Sequence, residues 1–383
     1  MHTGVFLFGG VEMEDAGSGP PAPTDRRYDN RKIWETTERI IDMGVVSEQL
    51  GFDSYWLTEH HFQYEGYEVI PNGILIGTIL AERTERIKIG MAFNVVPQWH
   101  PLRLAEDFAT LHNISGGRGI LGVGRGTVPR EAETLGAKIG SFDNPDRAAA
   151  DQENREHFEE AMQIIKMALD QETFSFHGKH YDFPPPGIPD RGGEVEELTL
   201  VPRPLYPYET WQAITSPPTL ELVPKWGWGG VWWNINPKFL KMFWERYAEI
   251  YEETHGRTLE RGENRMLVLS TRVEDTHEKA VEAIRPGHDE FWKFLGPYGW
   301  SKGYMGDDGK PAPMGLVPTL EETLDQKIFA VGTAEDVAEQ IAWYDEQIGL
   351  ENLLLFPGMP GDRYDDIEEQ LGRLAGDVLP MLG

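Results

Sequence analysis

Short apolar runs alternate along this chain with longer stretches in which apolar residues recur every three or four positions. The first run, GVFLF over 4–8, has the length of a buried strand. A loop rich in Gly, Pro and Asp follows through Asn30, and then Trp34, Ile40, Ile41, Val45, Val46 and Leu50 fall at helical spacing. GFDSYWLT (51–58) reads as strand two, opened by the glycine that ends the helix, and Pro71 is expected to begin the next helix. RIKIGMAFNVV (86–96) is strand three, HPLRLAEDFATLHNI its helix, and GRGILGVG (117–124) strand four. Helix four is predicted from Pro145 to Leu169. TWQAIT (210–215) and GGVWWNI (229–235) give strands five and six, joined by the stretch around PPTLELVPKWG. The amphipathic PKFLKMFWERYAEIYEET, strand seven RMLVLSTRV (265–273), strand eight NLLLFP (352–357) and a last helix from about Tyr364 to Leu379 complete the series.

Eight strands separated by helices fit a (β/α)8 TIM barrel better than an open doubly wound sheet, which uses about six parallel strands. The expectation is a single barrel domain over 1–383 with two insertions. One, about 171–208 after helix four, is rich in Pro, Gly and aromatics and reads as a hairpin-like excursion. The other, about 285–319 after strand seven, reads as a long loop, and such loops in compact domains are usually functional lids or else disordered.

Composition narrows the function. Asp and Glu number 64 against 35 Lys and Arg, a formal charge of −29, which argues against a nucleic-acid or anionic-membrane partner. The chain has no cysteine, so disulfides, thiolate metal sites and cysteine nucleophiles are excluded. The N-terminus lacks a basic segment and a long apolar run, and no stretch has the roughly 20 apolar residues of a membrane span. A cytoplasmic protein is expected.

Candidate chemistry sits at strand ends, which in a barrel face the active site. GRGILG (117–122) matches a dinucleotide fingerprint in letters but runs into a strand instead of opening a helix, so that reading is set aside. Just beyond it, Gly122, Gly124 and Gly126 allow close approach to a flat or anionic ligand, and Arg125 offers a forked donor; a tight strand-end turn would use the same residues. In TEHHF (58–62) the paired histidines should point oppositely, which disfavours joint metal ligation; no metal site is expected. One of them, facing the pocket, suits proton handling, although a strand-end histidine bonded to backbone fits as well. Thr215, Ser216 and Thr219 follow strand five and serve either an anion or ordinary helix capping. Of Trp232 and Trp233, one is expected to stack on a ligand and the other to pack outward. Together these groups suit a large planar ligand carrying a phosphate, such as FMN.

At these residues the sequence resembles the bacterial luciferase family of flavin-dependent monooxygenases. The likeness runs through GFDSYWLTEHHF, RIKIGMAFNVVPQWHPLRLAEDFATLHNISGGRGILGVGRG, DNPDRAAADQENREHFEEAMQII, AITSPPT and VGTAEDVAEQIAWYDEQIGLENLLLF, most of the chain apart from the two insertions. The resemblance implies a proton-handling His60 at the reactive edge of the flavin, and Arg125, Arg155, Ser216 and Thr219 at the cofactor phosphate. It implies Gly124 beside the flavin carbon that takes up dioxygen, Trp233 in the flavin pocket, and a non-proline cis peptide at Ala92–Phe93 behind the ring. Luciferase has a cysteine where Gly124 stands, which argues against light emission; Thr215 replaces an acid beside the phosphate turn; and the loop over 9–30 is long for the family.

The activity so implied is a reduced-FMN-dependent monooxygenase, inserting one oxygen of dioxygen into a small apolar organic substrate through a peroxyflavin. Reduced FMN would act as co-substrate, supplied by a separate NAD(P)H flavin reductase, in a homodimer. Two other readings stand beside it: hydride transfer with a deazaflavin or FMN on the same barrel, and flavin binding without catalysis.

Overall fold

The computed structural model of the chain describes residues 1–19, 26–139, 146–313 and 315–383. Eight parallel strands close on themselves: β1 (His2–Leu7), β2 (Ser54–Leu57), β3 (Lys88–Met91), β4 (Gly119–Gly124), β5 (Thr210–Ala213), β6 (Gly229–Trp233), β7 (Arg265–Val273) and β8 (Asn352–Phe356). Each pairs with the next, and β8 returns to β1 with His2 opposite Asn352, so no barrel edge is left open. This is the (β/α)8 barrel that the spacing of apolar runs predicts.

The strand alternation builds two concentric cores. Val5, Leu7, Tyr55, Leu57, Leu267 and Leu269 point outward and join the helices in one cluster. Phe6, Trp56, Ile120, Val231, Met266, Val268 and Phe356 point inward and fill the barrel in another. Two tryptophans occupy so much of the interior that their neighbours have no side chain. A Cβ on Gly90 would sit 2.3 Å from the Trp56 ring, and one on Gly229 2.2 Å from Trp211. The pair at 232–233 divides as expected: Trp232 packs outward against Trp244 and Tyr247, and Trp233 turns inward against Phe6 and Phe8.

Around the barrel lie α1 (Asn30–Gln49), α2 (Gly73–Arg83), α3 (Pro101–Ile114), α4 (Arg147–Asp170), α5 (Pro217–Leu222), α6 (Pro237–His255), α7 (His277–Leu295), α8 (Ala334–Ile348) and α9 (Tyr364–Arg373). Local chemistry sets their ends. Asp29 caps α1 through Arg31 N and Lys32 N, and Thr333 with Asp336 forms a reciprocal capping box on α8. Asn72 caps α2 from outside, so that helix starts at Gly73 and not at Pro71. Pro145, the expected start of α4, lies outside the described residues.

Other boundaries also differ from the sequence reading. The strand expected over 86–96 breaks at a cis peptide between Ala92 and Phe93, and only Asn94–Val95 resumes pairing, with β4. A strand the apolar runs did not isolate, Phe329–Gly332, pairs in parallel alongside Ser270–Val273 of β7. The segment over 285–319 is not a loop throughout. Residues 285–295 complete α7, with Pro286 inside it, because Ala280, Ile284, Phe291 and Leu295 form a continuous buried stripe. Short 3-10 turns at Gly296–Tyr298 and Trp300–Gly303 follow, then a bridge between Met305 and Pro311. The 171–208 segment carries two small hairpins, Phe176–His177 with Asp182–Phe183 and Pro189–Asp190 with Gly193–Glu194. The described parts of the 9–30 loop are tied down by Val11 N to Gly66 O (2.8 Å), and by Gly17 N and Arg26 Nη1 to the buried Glu290 on α7 (2.9 and 2.7 Å).

Candidate active site

The C-terminal ends of the strands open on a cavity of about 140 Å³. An adjoining one of about 250 Å³ shares Thr215, Trp233 and Trp300 with it. A wider groove, about 590 Å³, lies at the opposite end, where Thr210 and Gly229 begin their strands, away from the titratable cluster described next.

His60 stands three residues beyond β2, its backbone N donating to Ile70 O at 2.9 Å. Its ring lies between two buried carboxylates: Nδ1 is 3.1 Å from Glu131, on the short helix Pro129–Thr134, and Nε2 is 3.0 Å from Glu68. Burial opposes the imidazolium, yet Glu68 and Glu131 outweigh it and the His60 pKa is pushed up to about 9. Burial raises the Glu68 pKa to about 7 against the pull of His60. For Glu131 burial acts upward too, but His60 and the Gln63 amide hold it below the usual carboxylate range. His61 turns the other way, to Glu59 at 3.1 Å, and Glu59 also takes the Trp99 indole N–H at 2.9 Å. The two histidines therefore do not share a site, and among the described residues no cluster has the makings of a metal site.

The other wall is cationic. Asp151 bridges Arg125 Nη1 and Arg155 Nη2, each at 2.9 Å. Burial raises the Asp151 pKa, but the two guanidinium groups bring it below its usual value. Ser216 Oγ and Thr219 Oγ1 lie 2.9 Å apart at the start of α5. Lys302, from the segment after β7, lines the adjoining cavity, and burial together with Arg125 and Arg147 lowers its pKa. Between the walls the lining is aromatic, with Trp233 edge-on to Phe6, Phe8 and Trp300 at 5.2–5.4 Å. A Cβ on Gly124 would come within 3.2 Å of Phe93.

Of the residues singled out in the sequence, His60, Ala92, Phe93, Gly124, Arg125, Thr215, Thr219 and Trp233 line the first cavity, and Ser216 lines the second. Arg155 lines neither and reaches the site through Asp151. Glu68, Glu131, Asp151 and Lys302 went unnoticed in the sequence. Buried groups on the first cavity leave polar atoms short of partners: Gln212 Oε1 has none, and Glu68 has only His60 Nε2 and the Thr58 hydroxyl beside its two oxygens. Buried polar atoms left in that state are costly unless a ligand or water meets them. A cationic and hydroxyl wall, an aromatic slot and these orphaned atoms fit a phosphorylated heteroaromatic ring system.

A family profile described as luciferase-like monooxygenase matches residues 1–351. The 4-hydroxyprotoasukamycin monooxygenase of Streptomyces nodosus subsp. asukaensis is 27% identical over 325 residues, covering 81% of this chain and 77% of its own. The solved oxygenating constituent of 3,6-diketocamphane monooxygenase from Pseudomonas putida, a type II Baeyer-Villiger monooxygenase in complex with FMN, aligns with a TM-score of 0.72. It is 25% identical and the match covers 100% of this chain and 99% of that one. An F420-dependent glucose-6-phosphate dehydrogenase of Amycolatopsis mediterranei is 24% identical, over 90% of this chain and 94% of its own.

Proposed function

The chain belongs to the luciferase-like monooxygenase family, and from that premise we propose that it is a reduced-FMN-dependent monooxygenase acting on a small apolar organic substrate. The observation that carries this reading is the pairing of a cationic, hydroxyl-bearing wall with His60, held between two buried carboxylates, across one aromatic cavity. Arg125, Ser216 and Thr219 would hold the phosphate, with Arg155 behind Arg125 and Lys302 closing from the segment after β7. Asp151 is half exposed and occupies both guanidinium groups, so an arriving phosphate competes with it for Arg125. Phe6, Phe8, Trp233 and Trp300 exclude water from the reacting region and present an apolar surface to the substrate. When bound, reduced FMN supplies the electrons that activate dioxygen for transfer of one of its atoms. His60 and its carboxylates hold the proton that this transfer requires.

Delivery of reduced flavin by a separate reductase, and assembly as a homodimer, belong to the same proposal. Among the described residues no helix is long and apolar enough to cross a membrane. The likeness to an F420-dependent dehydrogenase favours a second reading, hydride transfer with a deazaflavin. Anaerobic titration with reduced FMN, then oxygen and a panel of apolar organic substrates, separates the two. Monooxygenation requires oxygen uptake matched by an oxygenated product. Substrate oxidation with deazaflavin, without oxygen, would replace it.

A further inference from the structure

We propose that Glu68, and not the imidazole, exchanges a proton with the molecule held in the cavity, and that His60 is the relay behind it, anchored by Glu131. This rests on the monooxygenase reading and names the group at its acid–base step. Both ring nitrogens of His60 face carboxylates, at 3.1 Å to Glu131 and 3.0 Å to Glu68, so neither is left free for a ligand. The two carboxylates are not equivalent. Glu131 is satisfied by His60 and by the Gln63 amide. Glu68 has a side chain 0% exposed, lines the cavity, and has beside its two oxygens only His60 Nε2, at 3.0 Å, and the Thr58 hydroxyl, so accepting capacity is left over. A buried carboxyl group with spare hydrogen-bonding capacity on a ligand cavity is placed to meet a ligand.

The remaining charged and titratable neighbours do not compete for Glu68. Glu59 and His61, on the His60 segment, are paired with each other. Arg130, beside Glu131, is paired with Glu65 at 2.8 Å. Tyr298, from the segment after β7, has its pKa raised by burial and stays neutral. The proton balance is simple. The Glu68 carboxyl gives its proton to a basic atom in the cavity and is left as carboxylate. It then takes the Nε2 proton of the His60 imidazolium. His60 becomes neutral, keeping its Nδ1 proton towards Glu131, and solvent restores the missing proton. Burial supports this order, since it brings the Glu68 pKa to about 7, where both forms are populated at neutral pH.

The test compares the full chain with Glu68→Gln and Glu68→Asp. In 15N-histidine NMR without cofactor, assigned with His60→Ala, the His60 titration midpoint should fall by about one pH unit or more in Glu68→Gln and by less in Glu68→Asp. Oxygen-dependent product formation should fall roughly 100-fold in Glu68→Gln, with partial rescue in Glu68→Asp and reduced-FMN affinity within a few-fold. The limb of the pH–rate profile near neutrality should vanish in Glu68→Gln alone. An unmoved His60 midpoint, or a Glu68→Gln rate and pH profile like the parent's, would overturn the proposal. Failure of the parent chain to bind reduced FMN would sink the monooxygenase reading instead, and the NMR titration would still report whether Glu68 and His60 are coupled.

Discussion

The two walls of the cavity solve the problem of buried charge in opposite ways. On the His60 side, Glu68, Glu131 and the imidazole are enclosed together: Glu68 is raised to about 7 and His60 to about 9, while His60 and Gln63 hold Glu131 below the usual carboxylate range. On the Arg125 side the charges are permanent, and the half-exposed Asp151 compensates the two guanidinium groups. Enclosed groups that change charge near neutral pH can pass a proton, whereas permanent cations can only hold an anion. One wall is therefore suited to chemistry and the other to binding, and substitutions on each should fail differently.

The largest effect is expected from His60→Ala, which leaves two buried carboxylates without their counter-charge. Oxygen-dependent turnover should fall on the order of 100- to 10,000-fold with reduced-FMN affinity within a few-fold, and normal turnover would remove His60 from the mechanism. Next comes the binding wall. Arg125→Ala should weaken reduced FMN by roughly 10- to 100-fold, the range of a charged hydrogen bond, while the rate at saturating flavin stays near the parent's. A rate loss without an affinity loss would reverse the division between the walls.

A smaller effect concerns stability. The pKa of His60 is raised above its unfolded value of about 6.5, so its contribution is fully present below that pH and is lost as pH rises through about 9. Glu68, also raised, acts in the same direction, its ionisation costing stability as pH approaches 7. Unfolding free energies from urea titrations should therefore decline between pH 6.5 and 9 by an amount on the order of 2 kcal/mol, and His60→Gln should flatten the decline above pH 7.5. An identical slope in both proteins would deny His60 its charge. The smallest change is expected for Asp151→Asn. Freed of their competing carboxylate, Arg125 and Arg155 should bind reduced FMN a few-fold more tightly, a gain that high salt should reduce. Weaker binding there would make Asp151 an organiser of the site and not a competitor.

Much of this geometry was legible in the sequence, and what was not has physical reasons. The eight strands announce themselves because a barrel buries both faces of each, leaving continuous apolar runs such as LVL in β7 and LLLF in β8. His60, Arg125 and Trp233 could be found because they lie at the ends of those runs. The cis peptide at Ala92–Phe93 came from the family resemblance, since nothing in the letters AF distinguishes it. Glu68 was invisible because it sits in an acidic, glycine-bearing stretch that reads as a solvated loop, and only the fold buries it under His60. Lys302 was hidden by a glycine-rich setting that carries no periodicity. Pro286 obscured the helical stripe of α7, where tertiary burial of Phe291 and Leu295 overrides the local penalty.

The most direct test of the binding wall compares reduced FMN with reduced riboflavin, which differs only in lacking the phosphate. In anaerobic titrations FMN should bind about 100-fold more tightly, and Arg125→Ala should remove most of that advantage. Equal affinities for the two flavins, or an advantage untouched by Arg125→Ala, would contradict a phosphate site at the barrel mouth.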